Sequence, residues 1–295
     1  MKSSSTDLIL PILQQHLGTD ITIARVDATS GGCINQTSTV TLADGSRYFL
    51  KVNQGGLLEM FAAEVDGLNA IRASASLRAP EPLGYGVQGQ QAYLLLEYLP
   101  LQNHGDQPQA GTQLATLHRH TAAQHGWFRN NTIGASPQRN PQTHDWVQFW
   151  QQERLGFQLE RARHNGYPHR SYEQGLRLKE SIGALFNDYQ PVASLLHGDL
   201  WGGNLAYLPD GSPVIYDPAV YYGDRETDLA MTELFGGFGA DFYAAYNAAW
   251  ALDSGYAVRK TLYNLYHILN HFNLFGGGYG EQAARMTEKI LAEIG

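Results

Sequence analysis

Asp199 stands five positions ahead of Asn204 in the stretch His197-Gly198-Asp199-Leu200-Trp201-Gly202-Gly203-Asn204, and Asp217 follows at the end of a hairpin-like run. Phosphoryl transfer to a hydroxyl calls for a carboxylate that takes the hydroxyl proton and, at this spacing, an amide oxygen that helps to hold a metal ion. Asp199 therefore reads as the base, with Asn204 and Asp217 as Mg2+ ligands. Few protein oxygens suffice for that ion, because phosphate and water complete its shell. The plainer reading of the same residues is an Asp-capped turn before a hairpin. Histidine titrates near neutrality and is a common base, but Asp199 holds the place that the spacing defines, so His197 is read as support for the loop.

Groups suited to a nucleotide lie upstream, in the order that kinase-like chemistry needs. Residues 29–37 carry Gly31 and Gly32 between two strand-like runs, where main-chain N–H groups can approach a phosphate closely. The other reading is a plain hairpin turn. In the strand 47–52, alternation puts Tyr48, Leu50 and Val52 on one face and Phe49 and Lys51 on the other. Lys51 alone could be an ordinary edge-strand lysine. Helical periodicity sets Glu64 beside Leu68 and Ile71, at the margin of an apolar face, where an acid wants a cation. The pair Lys51–Glu64 would hold the nucleotide phosphates. The apolar strand 92–99 then leads out through Glu97, Tyr98 and Leu99, whose main-chain groups could meet an adenine edge.

Asp217-Pro218-Ala219 stands where a protein kinase has Asp-Phe-Gly, and only eleven steps separate Asp217 from Asp228. That is too short for a protein-kinase activation segment. An Ala-Pro-Glu triplet does occur at 79–81, but it precedes the loop and so falls in the wrong order. The pattern is that of a small-molecule kinase.

The elements that must position these residues divide the chain in two. A short amphipathic helix is expected over 6–17, then strands over 21–28, 34–42 and 47–52, with an Asp-Gly hairpin turn at 43–46. A helix over 57–74 carries Glu64, and a strand pair ending in 92–99 follows. Helical patterns then dominate, at 106–123, 144–164, 171–189, 226–250 and 257–273, interrupted by hairpins between 194 and 217. The Gly-rich stretches at 236 and 276 read as helix ends and turns. The expected fold is α+β with two lobes: a β-rich N-lobe over 1–99 that clamps the nucleotide, and a helical C-lobe over 100–295 that carries the loop 197–204 and the hairpin to 217.

Composition bounds the alternatives. The 295 residues hold 43% hydrophobic residues, 32 glycines and a net charge of −8. The negative balance argues against nucleic acid and anionic membrane surfaces as partners. No run of apolar residues is long enough to span a bilayer, and the N-terminus lacks the pattern of a signal peptide. One cysteine, Cys33, allows no internal disulfide. A cytoplasmic protein is expected.

The loop 197–204, the run from Tyr216-Asp217-Pro218-Ala219 to Gly236-Gly237-Phe238, and Ser30-Gly31-Gly32-Cys33-Ile34-Asn35 together resemble the fructosamine kinase (ketosamine-3-kinase) family. That family belongs to the aminoglycoside-phosphotransferase and choline-kinase group, with a protein-kinase-like fold. The resemblance covers nearly the whole chain. It implies ATP- and Mg2+-dependent phosphorylation of a ketosamine at its third carbon, after which the adduct decomposes and frees the amine of a small molecule or a glycated protein. It assigns Asp199 as base, Asn204 and Asp217 as metal ligands, Lys51 and Glu64 to the phosphates, and Glu97 to Leu99 to the adenine. Asp228 resembles the acid that accepts loop N–H groups in related kinases; a simple helix cap is the other reading. Trp201 would stack on the sugar, or else pack beneath the loop. Cys33 sits in the glycine loop and is a candidate redox site, with a Cys33–Cys33 intermolecular disulfide as one outcome; a monomer and a homodimer are both open. Two other functions stay open: a kinase of an aminoglycoside, choline or other amino-alcohol, and a nucleotide-binding pseudokinase.

Overall fold

The computed structural model describes residues 5–29 and 34–295. After helix α1 (Ser5–Leu17), strands β1 (Ile23–Thr29), β2 (Gln36–Leu42) and β3 (Arg47–Gln54) form a meander. Helix α2 (Leu58–Ala73) separates them from β4 (Pro82–Gln88) and β5 (Gln91–Glu97). The antiparallel sheet runs β1-β2-β3-β5-β4, so β3, which carries Lys51, is its central strand. The Asp-Gly turn forms as expected: Gly45 takes φ +89° and Asp44 Oδ1 accepts from Ser46 N at 2.8 Å.

Alternation along β3 decides what covers each face. Leu50 and Val52 pack with Ile9, Ile12 and Leu13 of α1. Phe49 turns the other way, against the cluster of Phe61 and Leu68 on α2. Lys51 shares that second face and is drawn under α2, and this is how an otherwise ordinary strand lysine comes to be buried.

Helices dominate the rest. They are α3 (Gln107–His118), α4 (Trp146–Phe149) running through a π-helical stretch (Trp150–Gly156) into α5 (Phe157–His164), and α6 (His169–Ser181). Then come α7 (Glu226–Leu234), α8 (Ala240–Ala249), α9 (Tyr256–Phe275) and α10 (Tyr279–Ile294). Short strand pairs carry the site: β6 (Asn131–Ile133) with β7 (Ser136–Gln138), β8 (Ser194–Leu196) with β11 (Tyr221–Gly223), and β9 (Leu205–Tyr207) with β10 (Pro213–Ile215). The architecture is the two-lobed, kinase-like α+β arrangement. No helix among the described residues is long and apolar enough to cross a membrane.

Three features depart from the sequence reading. The helix expected over 226–250 is two helices, broken where Gly236 and Gly237 take φ of +76° and +100°. The break is a packing requirement as well as a turn, since a Cβ on Gly237 would lie 2.7 Å from Gly202 Cα. Helix α10 and the β6–β7 hairpin form where none was expected. The lobes also share one apolar cluster: Phe61, Leu68 and Leu94 of the N-lobe pack with Leu114, Leu195 and Leu205 of the C-lobe. Packing is therefore continuous across the boundary expected near residue 99.

Candidate active site

The loop 197–204 is held from below by one buried carboxylate. Asp228, in the first turn of α7, accepts from His197 N at 2.7 Å and Gly198 N at 2.8 Å. His118 Nε2 donates to the same carboxylate at 3.2 Å, Tyr246 OH meets His118 Nδ1 at 2.8 Å, and Arg225 donates to Tyr246 OH at 3.0 Å. Burial would raise the Asp228 pKa, but the bonds from His118 and the loop hold it below the ordinary value. The carboxylate therefore anchors the loop rather than capping its own helix. Gly198 must be glycine: it takes φ +82°, and a Cβ there would sit 2.1 Å from Ala219 O.

His197 is excluded as the base by its bonds. Its Nε2 faces Tyr216 O at 3.0 Å, and a carbonyl can only accept, so Nε2 carries the proton. Its Nδ1 accepts from Asp199 N at 3.2 Å. Both nitrogens are occupied in the neutral ring, and burial keeps the ring neutral by lowering its pKa.

Asn204 Nδ2 donates to Asp199 O at 2.8 Å, which ties the amide to the base and leaves Asn204 Oδ1 free to ligate. Asp217 Oδ1 accepts from Lys51, while Asp217 Oδ2 has no protein partner among the described residues. One amide oxygen and one carboxylate oxygen suit Mg2+ with phosphate and water completing the shell. Among the described residues there is no cluster of three or more His, Cys, Asp or Glu that could hold a metal by itself. Asp217 takes φ +57°, a left-handed conformation that costs a non-glycine residue about 1–3 kcal/mol and persists only where its surroundings enforce it.

Lys51 lies between two carboxylates, Glu64 Oε1 at 2.5 Å and Asp217 Oδ1. Burial would lower its pKa, yet Asp217 and then Glu64 outweigh that and hold the ammonium above its ordinary range. Burial raises Glu64 in turn, with Lys51 opposing. The expected pair is present, and the pair is a triad.

Asp199 lines the cavity with its pKa pushed up to about 7, by burial first and then by Asp217 and Asp228. A base whose pKa lies near the working pH is matched to proton transfer. Only the carboxylate form can accept a proton, so a base at this position is expected to gain activity as pH climbs through this pKa. Carboxyl carbon NMR of the nucleotide-free protein is expected to show Asp199 titrating near pH 7. Removing the like charge in Asp217→Asn moves the inflection down. An inflection in the ordinary carboxylate range, unmoved by that change, contradicts the assignment.

The cavity, about 760 Å3, brings together Lys51, Glu64, Asp199, Trp201, Asn204 and Asp217. Its far wall was not foreseen: His267, Asn270, His271 and Phe275 of α9, with Phe235 and Tyr279. Phe235 meets Trp201 edge-on at 6.5 Å and His271 at 5.0 Å, and His271 meets Tyr279 at 5.1 Å, giving a continuous aromatic wall. Trp201 is 41% exposed, its ring lying over Gly203, so it faces the cavity rather than packing beneath the loop. The α9 residues recur with helical period, but nothing local marked that face as a cavity wall. Glu97, Tyr98 and Leu99 do not line the cavity. The Glu97 carboxylate binds Arg78 at 2.5 Å, its N–H donates to Glu81 O at 2.9 Å, and the Tyr98 ring lies under Arg47. Gly31, Gly32 and Cys33 lie outside the described residues.

The fructosamine kinase family model matches residues 6–293. The probable ketoamine kinase of Synechocystis sp. is 47% identical over 283 residues, covering 95% of this chain and 94% of the relative. The chloroplastic protein-ribulosamine 3-kinase of Arabidopsis thaliana is 38% identical over 284 residues, covering 95% of this chain and 86% of the relative. A crystal structure from Haemophilus somnus 129PT, provisionally named fructosamine-3-kinase, superposes with a TM-score of 0.87 at 26% identity, over 97% of each chain. Matched along nearly its whole length, this chain belongs to the fructosamine kinase family.

Proposed function

We propose that this protein uses ATP and Mg2+ to phosphorylate the 3-hydroxyl of a ketosamine, a step that destabilises the sugar adduct and frees the amine. The observation that carries this reading is the meeting of Asp199, Asn204, Asp217 and Lys51 in one cavity that is also lined by the aromatic rings of Trp201, Phe235, His271 and Tyr279. The names of the Synechocystis and Arabidopsis relatives point to the same substrate class.

Asp199 takes the hydroxyl proton as the sugar oxygen bonds to the γ-phosphorus and the bond to the β–γ bridging oxygen breaks, releasing ADP. Lys51, oriented by Glu64, holds the phosphates. Asn204 and Asp217 would hold Mg2+, which neutralises charge on the transferring group. The aromatic wall gives the sugar an apolar face to lie on and gives a cationic amine ring faces to approach. For the adenine, the Tyr98 main chain and the Leu99 N–H are the remaining candidate edge, since the Glu97 N–H is donated to Glu81 O and the Leu99 carbonyl accepts from Leu101 N.

ADP release measured over fructosamine, ribulosamine, aminoglycoside and choline substrates tests the reading. Turnover is expected with the ketosamines. Turnover with choline or an aminoglycoside and none with either ketosamine overturns it.

A further inference from the structure

Behind Asp217 lies a buried polar network that belongs to none of the expected motifs. Asn131 Nδ2 donates to Val220 O at 2.8 Å and Gln138 Nε2 donates to Ala219 O at 3.0 Å. These two carbonyls follow directly after Asp217-Pro218. Asn131 Oδ1 accepts from Gln138 Nε2 at 2.9 Å and from Asn140 Nδ2 at 2.8 Å. Asn140 Oδ1 accepts from Arg154 Nη2 at 2.7 Å. Asn131, Gln138, Asn140 and Arg154 are all at least nine-tenths buried.

The direction of every link is forced. A guanidinium has no acceptor and a main-chain carbonyl has no donor. The chain of bonds from Arg154 through Asn140 and Asn131 to Val220 therefore has one polarity and cannot flip. Arg154 itself sits in the π-helical stretch, with its guanidinium over the rings of Tyr221 at 4.2 Å and Phe149 at 4.5 Å. π-Helical turns are rare and concentrate at functional sites.

The same segment reaches the N-lobe. Arg129 pairs with Asp66 at 2.7 Å and Glu59 at 2.5 Å, both on α2, the helix that carries Glu64. Helix α2 also closes on the loop directly, since a Cβ on Gly67 would lie 3.0 Å from Val220 Cγ2. A left-handed aspartate needs its neighbours fixed, and here the residues that follow it are held twice: the amides bind the Ala219 and Val220 carbonyls, and the ion-paired helix α2 packs on Pro218 and Val220.

We propose that residues 129–140 act as a brace that sets Asp217 and Glu64 relative to each other, with Asn131 and Gln138 as positioning residues for Asp217 and Arg129 as the tie to α2. This rests on the reading of Asp217 as a ligand of the nucleotide-bound metal. Protein kinases move the corresponding helix and metal-binding motif to switch activity. The brace joins the two in a chain with no room for an activation segment.

The test is the Mg2+ dependence of ADP binding to the full-length protein by calorimetry, with the melting temperature recorded and Asp217→Asn as reference. Asn131→Asp keeps the side-chain size but turns an acceptor toward Val220 O. It is expected to raise the Mg2+ concentration at half-saturation by about 10- to 100-fold, the range for groups that orient metal ligands, while ADP affinity in EDTA is unchanged. Gln138→Met serves where Asn131→Asp does not fold, with the same expectation. Arg129→Ala, at a partly exposed side chain, is expected to shift the midpoint in the same direction by less. A lower melting temperature with an unmoved Mg2+ midpoint makes the network merely structural and overturns the proposal. So does a wild-type protein whose ADP binding ignores Mg2+, and an unmoved midpoint in Arg129→Ala removes the tie to α2. No ketosamine enters this measurement, so failure of the substrate panel and failure of the brace are separate results.

Discussion

Asp199→Asn is expected to lower kcat for a ketosamine by about 10²- to 10⁴-fold, the range that a general base supplies, and to leave the Kd of Mg·ATP unchanged. The substitution is isosteric. It keeps the main-chain carbonyl that anchors Asn204 and the N–H that donates to His197, so the loop geometry survives. What disappears is the carboxylate basic enough to take a hydroxyl proton, since the amide oxygen that replaces it accepts hydrogen bonds but is not protonated near neutrality. His197 cannot replace it, because both of its nitrogens are engaged inside the loop. Asp228 cannot either, because it is buried and fully used by the loop and His118. ADP-release kinetics and calorimetry on the same preparation decide the matter. Near-wild-type turnover means that the base lies elsewhere.

Asp217→Ala has the next largest effect. The side chain is one of the two anions around Lys51, and in the proposed mechanism it would also supply a carboxylate oxygen to Mg2+. Losing transition-state charge stabilisation of this kind lowers kcat by about 10²- to 10³-fold or more. The Mg2+ dependence of nucleotide binding should flatten, while metal-free nucleotide is expected still to bind through Lys51. An unchanged Mg2+ titration contradicts the ligand assignment.

The convergence of the candidate residues was legible because their constraints are local. A separation of five positions from Asp199 to Asn204 suits one loop, and a single alternating strand sends Lys51 to the face opposite Leu50. Glu64 was legible as an acid at the margin of an apolar stripe. The anchoring role of Asp228 needed the fold, since a first-turn aspartate looks the same whether it caps its own helix or holds a loop thirty residues upstream. The β6–β7 hairpin was hidden for a related reason. Its short strands are read by no periodicity, and Asn131 and Gln138 find their partners more than eighty positions away. Helix α10 begins at Tyr279-Gly280 with no capping side chain, so its start carries no signal, although Ala283 and Ile290 pack into the core. The break between α7 and α8 shows the converse. Its glycines were seen as a turn, but the close approach to Gly202 that requires them is tertiary.

The state of Lys51 bears on the survival of the enzyme itself. A protein that works on adducts of amines with reducing sugars meets reactive carbonyl compounds, and its own lysines are targets of the same chemistry. Condensation with a carbonyl needs an unprotonated amine. Buried beneath α2 and flanked by Glu64 and Asp217, Lys51 is kept as an ammonium and has no lone pair to offer. The two carboxylates that hold this lysine charged therefore also make it a poor site for self-inflicted glycation.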